Sequence, residues 1–376
     1  MDLSYTETQE MLRDTLARFL ADTYDFETRR KMITRPEGRD PGIWRALATE
    51  LGILCASFSE AHGGMGGGAV ENALIMEELG KVIAIEPYLQ TVVIGGGALK
   101  AAGGALADVM IPQIIGGDAI IAFAYAEPKG RYDLAAIATT AKRVGAGYTL
   151  NGHKAVVYAA PWATHLLVTA RTGGSGRERA GVDLFLIDAN APGVTRRDYK
   201  TVDGFSASEV YFENVAVPGE ALLAGGIDLI ERVADEATVG ICAEASGVAR
   251  KLHEGTLEYS RQRKQFGLPI GKFQVLQHRM ADMMIEAEQI ASMTLMATLK
   301  LDEPAAVRKA AVSMAKAKVA RSVRFVGQNA IQTHGGIGIT DELAIGHYFK
   351  RATMIEGQFG NADWHLQRFE ELTLPA

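Results

Sequence analysis

Apolar positions recur at helical spacing through the first third of the chain. Met11, Leu12, Leu16, Phe19 and Leu20 alternate with charged residues, which predicts an amphipathic helix. A second helix is predicted through Trp44 to Leu51. The Gly-rich run that starts at Glu60-Ala-His-Gly-Gly reads as a turn, and a helical pattern follows from Val70. Near Ala119 the period changes. Ile120 to Ala126, Tyr148 to Leu150, Ala155 to Tyr158, His165 to Ala170, Val182 to Ile187 and Glu209 to Phe212 are short β-branched or aromatic runs. Asn151-Gly152, Gly173-Gly174-Ser175-Gly176 and Pro192-Gly193 separate them as turn residues. This spacing predicts an antiparallel β domain of roughly 100 residues. From Gly226 the helical period returns. Met280, Met283, Met284, Met293 and Met296 suit helix–helix packing, and Glu303-Pro304 marks a helix junction. The predicted fold is α+β and multidomain: a helical domain over 1–118, a central antiparallel β domain over 119–225 and a helical domain over 226–376.

The most legible stretch runs from Ile241 to Gln274. It predicts a long helix that carries Glu244 among small residues and ends in the basic cluster Arg261, Arg263 and Lys264. A turn at Gly267 and Pro269 then leads to a second helix near Phe273-Gln274. Glu244 has two readings. A buried carboxylate with a raised pKa could act as a general base; the alternative is an ion pair with a distant Arg or Lys. The loop Gln332-Thr-His-Gly-Gly can turn backbone N–H groups toward an anion, and His334 within it reads as structural. Pro128 and Gly130 force a loop after the first strand, at Ala124-Tyr-Ala-Glu-Pro.

Composition narrows the field. The chain has 376 residues, 48% hydrophobic and 22% charged, with a net charge of -6, which gives no general attraction to nucleic acid or anionic membrane. Cys55 and Cys242 are far apart and predict free thiols in a reducing compartment. No metal-ligand spacing, Ser-His-Asp order or Walker-type loop is present. No basic-then-apolar leader opens the chain and no apolar run is long enough for a bilayer, so a soluble, cytoplasmic protein is expected.

Taken in order, Glu60-Ala-His-Gly-Gly, Ala126-Glu-Pro, Asn151-Gly-His-Lys, Arg263-Lys-Gln-Phe-Gly with Phe273-Gln274, and Gln332-Thr-His-Gly-Gly resemble the acyl-CoA dehydrogenase family over nearly the whole chain. The resemblance implies an N-terminal helical domain, a central β domain and a C-terminal four-helix bundle. It also implies FAD and α,β-dehydrogenation of an acyl-CoA thioester, with electrons passed to an electron-transfer flavoprotein. FAD is implied to lie across an interface of a homo- or hetero-oligomer. Arg263, Phe266, Gln274, Gln332, Gly335 and Gly336 would hold the ADP portion. Tyr125, Ala126, Val156 and Tyr158 would face the isoalloxazine.

On that second side the chain departs from the family. Ala126 stands for a Thr, Tyr132 for a small Ser, Val156 for a Trp and Tyr158 for a Thr or Ser. The family's usual catalytic Glu precedes Gly-Thr, where this chain has Phe359-Gly360-Asn361. Some relatives carry the base on the long helix at the position of Ala237, beside Glu236. Glu244, two turns on, is the candidate base, and Asp363 a weaker one. Gly346-His-Tyr-Phe-Lys-Arg and the Phe359 to His365 ending are similar to a subset of paired unlike subunits in bacterial breakdown of steroid side chains or dicarboxylic acids. One subunit of such pairs often has a degraded half of the flavin site. Three readings follow: a heteromeric dehydrogenase subunit, a self-sufficient homo-oligomer using Glu244, or a partner subunit without flavin chemistry.

Overall fold

The computed structural model describes residues 4–374. Contacts sort the chain into two compact units. One gathers residues up to 31, 69–84 and from 238 on; the other holds 32–68 and 85–237. In chain order, α1 (Glu7–Thr23), α2 (Phe26–Thr34), α3 (Pro41–Thr49) and α4 (Ala69–Lys81) come first. A π-helix (Leu89–Gly96), α5 (Gly97–Ala102) and α6 (Gly104–Ile115) follow. Local chemistry sets their starts. Thr6 and Gln9 form a reciprocal capping box on α1, and Asp40 caps α3 ahead of Pro41 at its first turn.

In the second unit the strands are β1 (Ile121–Ala124), β2 (Thr140–Val144), β3 (Gly147–Tyr158), β4 (His165–Arg171), β5 (Val182–Asp188), β6 (Val194–Lys200), β7 (Ser206–Val217) and β8 (Leu222–Leu223). They form one sheet in the order β6-β7-β3-β2-β4-β5-β8, with β1 paired to β4. The sheet is mostly antiparallel, as predicted, but β1 runs parallel to β4 and β2 meets β4 in parallel at Thr140 and Arg171. Leu150, Val168, Phe185, Val210 and Phe212 form part of its core.

Two details differ from the sequence reading. The polar strands β2 and β6 carry mostly exposed or half-buried side chains, so no apolar run marks them. Asn151-Gly152 lies inside β3 rather than in a turn. The Asn151 side chain accepts from the Asn214 backbone N–H at 2.9 Å, and a Cβ on Gly152 would come 2.4 Å from Thr139 Oγ1. Glycine is required there for close approach within the sheet.

The first unit is helical. The long helix α7 (Gly226–Gln262) enters it at Thr238. The short strands β9 (Lys264–Gln265) and β10 (Leu268–Pro269) come next, then α8 (Gln274–Leu299), α9 (Ala305–His334), α10 (Ala344–Gly357) and α11 (Ala362–Thr373). Pro304 caps α9, at the predicted junction. Helix α9 packs against α8, α10 and α11, and Val239, Ala297, Leu301, Val312 and Ala315 form a buried cluster. Gly80 and Gly247 let α4 and α7 touch backbone to backbone: a Cβ at either would meet a carbonyl oxygen at 2.3 or 2.1 Å.

Candidate functional site

The end of α7 is shaped to present side chains outward. Strands β9 and β10 form a hairpin whose two turn residues, Phe266 (φ 52°) and Gly267 (φ 81°), both lie in the left-handed region. That geometry suits a tight two-residue hairpin, but for Phe it carries a backbone cost of about 1–2 kcal/mol. The ring is nonetheless 91% exposed, touching Phe273 edge-on at 6.1 Å. Arg263 is fixed at its backbone: its N–H donates to the Tyr259 carbonyl and its carbonyl accepts from Ile270, both at 2.8 Å. Its side chain stays exposed, as does Gln274 at the start of α8.

The second loop lies at the end of α9. Gln332, Gly335 and Gly336 are exposed, and no atom lies within 4 Å of where a Cβ on either glycine would sit. Tyr259 braces this loop by stacking on the His334 ring at 4.3 Å and donating its hydroxyl to the His334 carbonyl at 3.4 Å. His334 Nδ1 donates to the Ala330 carbonyl at 2.8 Å, and burial pushes its pKa down. His334 is therefore a structural brace, as the sequence suggested. The exposed set comprises a guanidinium, an aromatic ring, two amides and an unobstructed glycine backbone, a combination suited to a nucleotide with a pyrophosphate.

In the second unit, Tyr125 and Ala126 extend from β1. Ala155 donates its N–H to the Ala126 carbonyl at 2.9 Å. Strand β3 breaks register between Lys154 and Val157, and Val156 at this bulge has φ 52° and is 42% exposed. Tyr158 rejoins the ladder opposite Ala207. Tyr125 stacks on Phe123 at 4.8 Å. Burial, and then the nearby Tyr158 and Tyr132 phenols, push its pKa up.

Beneath them lies an ion pair that sequence reasoning missed. Lys154 Nζ donates to Glu127 Oε1 at 2.7 Å and to Thr169 Oγ1 at 2.9 Å, with Lys154 fully buried. Burial pushes the lysine down to about 8 against the pull of Glu127. Burial raises the Glu127 carboxyl, but Lys154 and the N–H groups of Ala138 and Thr139 outweigh it and hold it below the ordinary value. The signal was available: Lys154 shares strand parity with the buried Leu150, so its charge needed an inward partner.

The carboxylates at and near the candidate base positions differ in their surroundings. Glu244 is buried in a two-point ion pair: Arg351 Nε donates to Oε1 at 2.5 Å and Nη2 to Oε2 at 2.7 Å. Glu244, the candidate base of the sequence reading, thus has both carboxylate oxygens engaged by a guanidinium. Glu236 accepts from Arg232 at 2.9 Å. Asp363 is 88% exposed, 3.6 Å from Arg321. Phe359 (φ 56°) and Gly360 (φ 117°) form a tight turn ahead of α11. Lys316 Nζ donates to the Gly360 carbonyl at 2.7 Å, and His365 Nε2 donates to the Phe359 carbonyl at 3.1 Å.

Residues 6–118, 122–215 and 224–371 match, in turn, the N-terminal, middle and C-terminal domains of acyl-CoA dehydrogenase. Among curated relatives, the probable acyl-CoA dehydrogenase YngJ of Bacillus subtilis is 30% identical over 328 residues, covering 85% of this chain and 86% of that one. Two solved structures are similar throughout. The ChsE4-ChsE5 complex from Mycobacterium tuberculosis has a TM-score of 0.91 at 28% identity, covering 100% of both chains. The Tcur3481-Tcur3483 steroid ACAD has a TM-score of 0.89 at 30% identity, covering 97% of each.

Proposed function

The chain belongs to the acyl-CoA dehydrogenase family of FAD-dependent oxidoreductases acting on CH–CH donors, and on that premise we propose that it is one subunit of a heteromeric acyl-CoA dehydrogenase. In this reading it grips the ADP portion of a flavin whose ring is seated in the partner subunit. The observation that carries the reading is the outward presentation of Arg263 and Phe266 on a strained hairpin, with Phe266 91% exposed.

The two halves fit the cofactor differently. On the ADP side, Arg263 offers a charge-assisted contact to the pyrophosphate, Phe266 a flat apolar face, and Gln274 and Gln332 amide contacts. Glycines 335 and 336 are exposed and leave open space where a side chain would stand, so a ligand can approach the backbone closely there. On the ring side the residues do not fit. Ala126 has no hydroxyl, Val156 has no indole plane, and bulky Tyr132 and Tyr158 stand where the family resemblance places small residues. With Phe359 at the position the family resemblance gives to the base and both Glu244 oxygens held by Arg351, neither position offers a free carboxylate to take a proton. FAD, when bound, supplies the hydride acceptor for the α,β-dehydrogenation. The proton abstraction then falls to the partner.

The likeness to a two-component complex and to a steroid ACAD supports a steroid side-chain acyl-CoA as the substrate class and an unlike dehydrogenase subunit as the partner. An electron-transfer flavoprotein is the proposed acceptor and the cytoplasm the proposed compartment. Among the described residues no helix is long and apolar enough to cross a membrane. Co-expression with the neighbouring reading frame, followed by flavin counting, tests the reading. One FAD per pair of unlike chains is expected. A fully active homo-oligomer with one FAD per chain would overturn it, and a complex with no flavin at all would leave only the structural-partner reading.

A further inference from the structure

A cavity of about 360 Å³ lies within the first unit, bordered by α1, α4, α7 and α8. Its walls cannot easily close. Gly80 and Gly247 already bring α4 and α7 into backbone contact, and two of the three α7 residues facing the space, Ala243 and Ser246, are small. Two buried polar atoms of its lining have no hydrogen-bond partner among the described residues. Thr294 is 5% exposed, and its Oγ1 has no hydrogen-bond partner among the described residues. Arg250 Nε is likewise buried without a partner, and its Nη2 stops 3.6 Å from Glu77 Oε1, beyond ordinary hydrogen-bond reach. Buried donors left in this way cost free energy unless something fills the space.

The surrounding charges define what would fit. Lys81 is already paired with Glu78 at 2.5 Å, and Arg13 lies against Tyr5 and pairs with Asp14 at 3.3 Å. Arg250, ion-paired with Glu77 at 3.6 Å and with its side chain 43% exposed, keeps its Nε without a hydrogen-bond partner among the described residues. Glu77 beside it disfavours a dianion, and burial pushes its own carboxyl pKa up. Leu74 and Leu295 supply apolar wall. We propose that this cavity binds a small organic monocarboxylate with a short apolar tail, its carboxylate meeting Arg250 Nε and the Thr294 hydroxyl and its tail lying along Leu74 and Leu295. The site is independent of the flavin contacts argued above. Singly charged, partly apolar ligands fit both its size and its electrostatics; inorganic phosphate and neutral amides do not.

Titration calorimetry on the full chain tests this with hexanoate, hexanamide and inorganic phosphate as probes. Hexanoate is expected to bind at one site per chain with affinity on the order of millimolar. Hexanamide and phosphate are expected to bind at least about tenfold more weakly, reflecting loss of the charge-assisted contact or repulsion by Glu77. Arg250→Gln should weaken hexanoate about tenfold or more. Ala73→Phe, which fills the cavity without removing a charge, should abolish binding even if the Arg250 variant folds poorly. Four results would each overturn the proposal: no saturable hexanoate binding, as for a merely hydrated cavity; equal binding of hexanamide; phosphate binding as tightly as hexanoate; or full retention in Ala73→Phe.

Discussion

Glu244 and Arg351 stand 107 residues apart and meet with both carboxylate oxygens engaged, away from water. A sequence shows the isolated carboxylate among small residues but not the guanidinium that folding brings to it, so the two readings of Glu244 could not be separated there. Removing one member leaves an uncompensated buried charge, so Glu244→Ala is expected to lower stability by about 3–5 kcal/mol in denaturant titration. Turnover per bound flavin in the assembled complex should stay within about twofold of wild type for Glu244→Gln; a drop of several orders of magnitude would restore its role as base. Backbone strain shows a related limit. Arg131, Val156, Phe266 and Phe359 all have positive φ and lie at or beside the positions where the family resemblance places flavin or base contacts. The sequence names these residues but says nothing of their backbone, and such strain tends to persist where function maintains it.

At the scale of elements, helix periodicity was the clearest signal. The long α7, its basic end, the turn at Gly267 and the restart at Phe273-Gln274 all follow from apolar spacing and stop residues. Strands were legible only where one face is buried. β4 and β5 are apolar runs, whereas β2 and β6 depend on hydrogen bonds to their neighbours and carry no such mark. Gly152 exposes the same weakness: a turn signal in sequence is a close-approach site in the sheet. Gly152→Val should force β3 away from Thr139 and lower stability by about 1–3 kcal/mol, with a matching fall in the urea midpoint. An unchanged midpoint would mean that the strand has room the structure does not show.

For the whole molecule, burial holds several imidazoles neutral. His165, His253, His334 and His347 are pushed down by burial, and His365 furthest, to about 2. Unfolded, each would take up a proton near its ordinary value of about 6.5. Acid therefore favours the unfolded chain: the contribution of these groups is fully present above about pH 6.5 and is lost progressively below it. The denaturation midpoint should fall between pH 7 and 5.5, above the range where most carboxylates titrate, and His365→Gln should flatten that slope. A flat or rising midpoint would contradict the burial of these rings.

The succession of helical, β and helical zones was readable because it rests on local pattern and motif order. The Lys154–Glu127 pair was not, because it depends on which segments become neighbours. The central claim is that this chain holds another subunit's flavin. Its most direct test is the visible flavin absorbance of the purified complex in which only this chain carries Arg263→Gln. Loss of a charge-assisted pyrophosphate contact predicts flavin binding weakened by about tenfold or more, recovered in part by added FAD. Full flavin retention with unchanged affinity would contradict the claim.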